Sequence, residues 1–111
     1  MPVNPYDAAH NLARALKDSQ EFQRFHQLRG SVEKDPKVKD MLDDFRRRQF
    51  ELQAAQVMGK EPDPTTMEAA ERLGEILSQH PGVGDYFQAE LRLAQLLADI
   101  QKIIAEAVEI E

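Results

Sequence analysis

Four X-Pro steps divide the chain, at Asn4-Pro5, Asp35-Pro36, Asp63-Pro64 and His80-Pro81. Between them the apolar residues recur at three- and four-residue intervals, and β-branched residues are few. Proline in the first helical position gives up only an N–H that the helix leaves unpaired anyway, and Asn or Asp just before it can cap other orphan donors. The pattern predicts helices starting at these prolines, with almost no signal for strands.

The first helix, predicted over about 5–17, carries Tyr6, Ala9, Leu12, Ala13 and Leu16 on one face, with Asp7 favouring the positive helix N-terminus. Asp18-x-x-Glu21 has the form of a capping box with Asp as the cap, which predicts a tight bend and a second helix over about 19–34. Phe22, Phe25, Leu28 and Val32 form its apolar face, and Gly30 weakens it by roughly 1 kcal/mol relative to Ala. The third helix, about 36–58, has a heptad-like seam of Val38, Leu42, Phe45, Gln49, Leu52, Gln56 and Gly59. Segment 59–64, with one Gly and two Pro, breaks the chain before a fourth helix over about 65–79. There Thr65-x-x-Glu68 offers a second capping box, and Met67, Ala70, Leu73, Ile76 and Leu77 form the inward face.

The last helix, about 82–109, would reach roughly 40 Å. Tyr86, Ala89, Leu93, Leu96, Leu97, Ile100, Ile103, Ile104 and Ala107 cover more of its circumference than one narrow stripe. Two coverings remain open: several helices of the same chain, or a second subunit over part of the face. Gln49, Gln56 and Gln101 lie on or near apolar stripes; they either hydrogen-bond across a helix interface and fix its register or sit at the stripe's edge in water. A weak repeat at a spacing of 45 residues aligns Pro36, Val38 and Asp40 with Pro81, Val83 and Asp85, which reads most simply as two similar helix starts.

With 111 residues the chain is expected to form a single helical domain, 1–111, with a break near 59–64 and a modest core that a partner subunit could extend. A hydrophobic fraction of 41% beside a charged fraction of 31% suits amphipathic helices with wide solvated faces. Net charge is −6, divided as 11 basic against 9 acidic residues over 1–60 and 3 against 11 over 61–111. That polarity either steers one end onto the opposite end of another chain or merely solvates the two ends. The N-terminal segment has neither the positive start nor the apolar run of a signal peptide, and no apolar stretch approaches the roughly 20 residues of a membrane span, so a cytoplasmic location is expected.

Cysteine is absent, which excludes disulfides, thiolate zinc sites, cysteine-held iron–sulfur clusters and thiol nucleophiles. Di-iron bundles need Glu-x-x-His pairs projecting inward, and the nearest pattern is a lone Asp7-x-x-His10, with His26 and His80 on other elements. Acidic pairs such as Asp43-Asp44 and Glu68-Glu71 fall where the periodicity predicts a wet face, without the burial that tunes a catalytic carboxyl. No phosphate-binding loop or nucleophile elbow occurs either. The expectation is a protein without catalytic residues, metal or cofactor. Arg46-Arg47-Arg48 is the sharpest basic feature, but on a helix the three side chains fan out by about 100° per residue, and Asp43, Asp44 and Glu51 lie close by.

Asn4-Pro5-Tyr6-Asp7 with Leu12-Ala13-Arg14-Ala15-Leu16, Ser19-x-Glu21-Phe22, Val32-x-x-Asp35-Pro36, Leu42-x-x-Phe45, and the closing run from Glu90 through Leu93, Leu96, Leu97, Ile100, Ile103 and Ile104 together resemble the bacterial YlbF/YmcA-like family, and its YheA-like branch in particular. The similarity spans essentially the whole chain. It implies a compact helical bundle that self-associates, from Firmicute-type bacteria. It also implies a non-enzymatic adaptor role like that of relatives acting in a complex that influences RNA processing by a membrane-anchored ribonuclease, and through it competence, sporulation and biofilm formation. Some of those relatives hold iron–sulfur clusters on cysteines, a property that a cysteine-free chain cannot share.

The combined expectation is an all-α bundle of about five helices with a long C-terminal helix, acting as a homodimer or higher oligomer that binds protein chains. Phe45, Leu52, Phe87, Leu93, Leu97, Ile100 and Ile104 are the expected interface residues. Two alternatives stand beside it: an RNA-binding accessory factor using Arg46, Arg47 and Arg48, and a small-ligand-binding helical bundle.

Overall fold

The computed structural model describes residues 4–109. They form five helices and no strand: α1 (Pro5–Asp18), α2 (Gln20–Glu33), α3 (Pro36–Val57), α4 (Pro64–Ser78) and α5 (Pro81–Val108). Four helices begin at the prolines of the X-Pro steps. Asn4 accepts a hydrogen bond from the Tyr6 amide, Asp35 from those of Lys37 and Val38, and Asp63 from that of Thr65.

Two caps differ from expectation. Ser19, not Asp18, joins the first two helices: its hydroxyl donates to the Leu16 carbonyl at 2.6 Å and accepts from the Phe22 amide at 3.2 Å. One side chain so closes α1 and opens α2, which a carboxylate, having no proton to donate, does not do. Thr65 lies inside α4, because Pro64 already occupies the first helical position and Asp63 the cap. After α3, Gly59 adopts a φ of +72°. Its amide donates to Gln56 and that of Lys60 to Ala55, the paired bonds of a Schellman motif.

The chain divides into two compact units. The middle unit, 30–85, contains the end of α2, all of α3 and α4, and the start of α5. Its core is aliphatic: Val32, Val38, Leu42, Ala70, Leu77 and Val83 are buried. The 45-residue repeat has its meaning here, since Val38 and Val83 each stand two residues after a helix-opening proline and both enter this core. α3 and α4 pack against each other, with Phe45 lying so close over Gly74 that a Cβ there would meet its ring at 3.3 Å. The Phe45–Gly74 contact and the approach of Leu52 and Gln56 to Met67 make the pair antiparallel.

The terminal unit joins the stretch before Gly30 to the part of α5 from Tyr86 onward. Phe25 stacks on Tyr86 with ring centroids 5.4 Å apart, Tyr86 meets Phe87 at 6.0 Å, and the Arg29 guanidinium lies 5.5 Å over Phe25. Farther along, Gln20, Glu21 and Arg24 of α2 face Ala89, Arg92, Gln95, Leu96 and Asp99 of α5 across an open groove of about 360 Å³, so these helices run antiparallel.

Candidate functional site

The terminal unit is well covered at one end of α5 and bare at the other. Tyr86 and Ala89 are buried, Leu93, Leu96 and Ile100 are half-buried, and then cover is lost: Ile103 is 66% exposed, Ile104 53% and Val108 56%. α1 shows the same gradient in reverse order, from half-buried Leu16 and Leu12 to Tyr6 at 80%, and it buries no residue at all. A lone exposed Leu or Ile is ordinary, but a run of them on consecutive helical turns marks a surface that water does not favour.

The expected interface residues fall into two groups. Phe45 and Leu52 are half-buried between α3 and α4, Phe45 against Gly74 and Leu52 beside a groove of about 430 Å³ with Gln53, Gln56, Lys60, Pro62 and Met67. Phe87, Leu93 and Ile100 are half-buried on α5. Leu97, 41% exposed, and Ile104 lie open on the surface. Periodicity did not single out a second bare stripe on α3, where Phe50 is 71% and Val57 87% exposed, with Met58 beside them at 66%. Both residues fall outside the Leu42–Phe45–Leu52 seam, and their spacing of seven was the signal available. Gln49, Gln56 and Gln101 are all exposed, the edge-of-stripe position.

The three arginines do not form one cationic patch. Arg47 binds Asp44 at 2.6 Å and the Arg48 Nε lies 3.2 Å from the same carboxylate oxygen. The Arg48 Nε is buried, and its alignment to that oxygen is that of an ion pair without a good hydrogen bond. The hydrogen bond from Arg47, reinforced by both charges, holds the Asp44 carboxyl below its ordinary value and raises that of Arg47. Among the described residues no group of three or more His, Asp or Glu side chains is gathered to hold a metal ion. Nor is any described helix long and apolar enough to cross a membrane.

The family model described as "Control of competence regulator ComK, YlbF/YmcA" matches residues 6–109. The chain belongs to the YlbF/YmcA family. Relatives of this family member include a UPF0342 protein of Symbiobacterium thermophilum, 46% identical over 96% of this chain and 95% of its own length. Another, from Caldicellulosiruptor bescii, is 42% identical over 96% of this chain and 89% of its own length. Among solved structures, yheA from Bacillus subtilis has a TM-score of 0.71 at 29% identity, covering 96% of this chain and 97% of the other, and the chain is YheA-like in sequence and fold. The fold is shared with a DUF964 protein of unknown function from Bacillus stearothermophilus, with a TM-score of 0.79 at 22% identity and coverage of 94% and 91%. It is shared more distantly with B. subtilis RicA, solved in complex with RicF, with a TM-score of 0.62 at 18% identity and coverage of 96% of both chains.

Proposed function

We propose that this protein is a non-enzymatic helical adaptor of the bacterial cytoplasm that binds copies of itself and other protein chains, in the service of regulation. The observation that carries this reading is the loss of cover along α5, where Leu97, Ile103, Ile104 and Val108 stay open on turns that continue a buried face.

Family membership supports the regulatory part, since the family is described by control of the competence regulator ComK. The RicA structure adds that a protein of this fold is found in complex with another chain, RicF. The RNA-binding alternative is less favoured, because Arg47 and Arg48 share one carboxylate, which takes up charge that a phosphate would need.

Sedimentation of the purified protein at tens of micromolar tests the reading. The expected result is a mass that is a multiple of the 12.7 kDa chain. A single chain at every concentration, together with no protein partner retained in a pull-down from the native cytosol, would contradict it.

A further inference from the structure

The groove between α2 and α5 carries one sign of charge at each end. Because the two helices run antiparallel, Glu21 lies toward Asp99 at one end and Arg24 toward Arg92 at the other. All the charged residues that these helices contribute to the terminal unit keep the division. Over 24–29 and 86–95 there are three basic groups, Arg24, Arg29 and Arg92, against the single Glu90. Over 20–23 and 96–108 there are three acidic groups, Glu21, Asp99 and Glu106, against the single Lys102. Among the described residues Arg24, Arg92 and Glu21 have no ion-pair or side-chain hydrogen-bond partner, while Asp99 accepts from Gln95. Along α5 the lining residues Arg92, Leu96 and Asp99 recur at steps of four and three, and Ile103, 66% exposed, continues that line by one turn.

A surface basic at one end and acidic at the other is complementary to a copy of itself turned end over end. We infer that this groove seats a second copy of the chain, docked by the same surface about a two-fold axis. The axis crosses α2 between Glu21 and Arg24 and α5 between Arg92 and Asp99. Arg92 of each copy then faces Asp99 of the other, Arg24 faces Glu21, and Ile103 is carried toward the turn that holds Ala89. Both halves of the contact belong to the terminal unit, so the reciprocal pairing is built into that unit alone. A parallel arrangement would set like charges together, so the charges also fix the direction of docking. A small molecule suits the groove less well, because ligand sites are enclosed and mostly apolar, whereas this one is open and lined largely by exposed polar side chains. The inference rests on the self-association proposed above and adds the surface through which it occurs. Exposed charges are screened by salt, so association weakens as ionic strength rises.

The test uses two full-length single variants, Arg92→Glu and Asp99→Arg. Both side chains are exposed, so each protein should retain the helical content of the parent, as read by circular dichroism. Alone, each variant brings like charges together twice across the axis and should associate roughly tenfold or more weakly than wild type. Mixed in equal amounts, the two should recover association close to that of wild type, because every facing pair is then of opposite sign. Light scattering of each variant and of the mixture reads this directly. Single variants as associated as wild type, or a mixture no more associated than its parts, would overturn the groove pairing while leaving self-association standing. A wild-type protein that stays monomeric would overturn both. Should either variant lose helicity, Glu21→Arg and Arg24→Glu repeat the test on α2 across the same axis, and unchanged association in them would equally overturn the pairing.

Discussion

The two units solve the problem of covering apolar side chains in different ways. In the middle unit Leu77 is 1% exposed and Val83 0%, and its six buried aliphatic residues come from four helices. The terminal unit buries Tyr86 and Ala89 beside an aromatic stack and then leaves the rest of a 28-residue helix half-covered or bare. Burial of one large aliphatic side chain stabilises by about 1.5–3 kcal/mol, a gain that the core residues of the middle unit realise and the bare turns of α5 do not. On the proposed function, stability and interaction are separated along the sequence, the first concentrated in 30–85 and the second offered by α5 beyond Leu93.

The sharpest break of this contrast comes from truncating one leucine in each unit. Leu77→Ala should lower unfolding free energy by about 2–5 kcal/mol in urea titrations, because it leaves a cavity in a closed core. Leu97→Ala should cost under about 1 kcal/mol in dilute protein, from a side chain already 41% exposed. Similar losses at both positions would remove the distinction.

Next in size, Gly59→Ala should destabilise by about 1–2 kcal/mol, since a φ of +72° costs a residue with a Cβ what it does not cost glycine, and the Schellman bonds ending α3 depend on it. Gly30→Ala should act in the opposite direction. This helical position begins the middle unit, has nothing within 4 Å of an added Cβ, and should gain roughly 1 kcal/mol, read as a rise in melting temperature.

The smallest effect concerns Asp44. Its carboxyl is held below 3.8 by Arg47 first and by Arg48, so the folded state binds its proton less readily than the unfolded chain does. The stability it contributes is therefore present above pH 3.8 and is lost as pH falls through the depressed folded-state value. Melting temperatures of wild type and Asp44→Asn should converge over that acid range, and a gap that widens there would refute the assignment.

The helices were legible because proline and its caps are local signals. Pro5, Pro36, Pro64 and Pro81 each open one, and Asp35 and Asp63 cap as their chemistry dictates. Ser19 was missed because Asp18, one residue earlier, satisfies the same pattern on paper, and only the bend shows that a hydroxyl must both donate and accept. The exposure of the candidate surface was less legible. Leu97 and Ile104 stand exposed, but Phe45 sits against Gly74, and Phe50 and Val57 escaped notice. Periodicity identifies an apolar face without saying which neighbour covers it. Phe45 is half-buried because α4 happens to present a glycine opposite, a fact that lies 29 residues away along the chain.

Hydrogen exchange followed over a dilution series tests the central claim most directly. Amides of residues 97–108 should exchange more slowly as protein concentration rises, while those around Leu77 keep the same protection throughout. Protection of 97–108 that is independent of concentration would mean that no second chain comes to cover the bare end of α5.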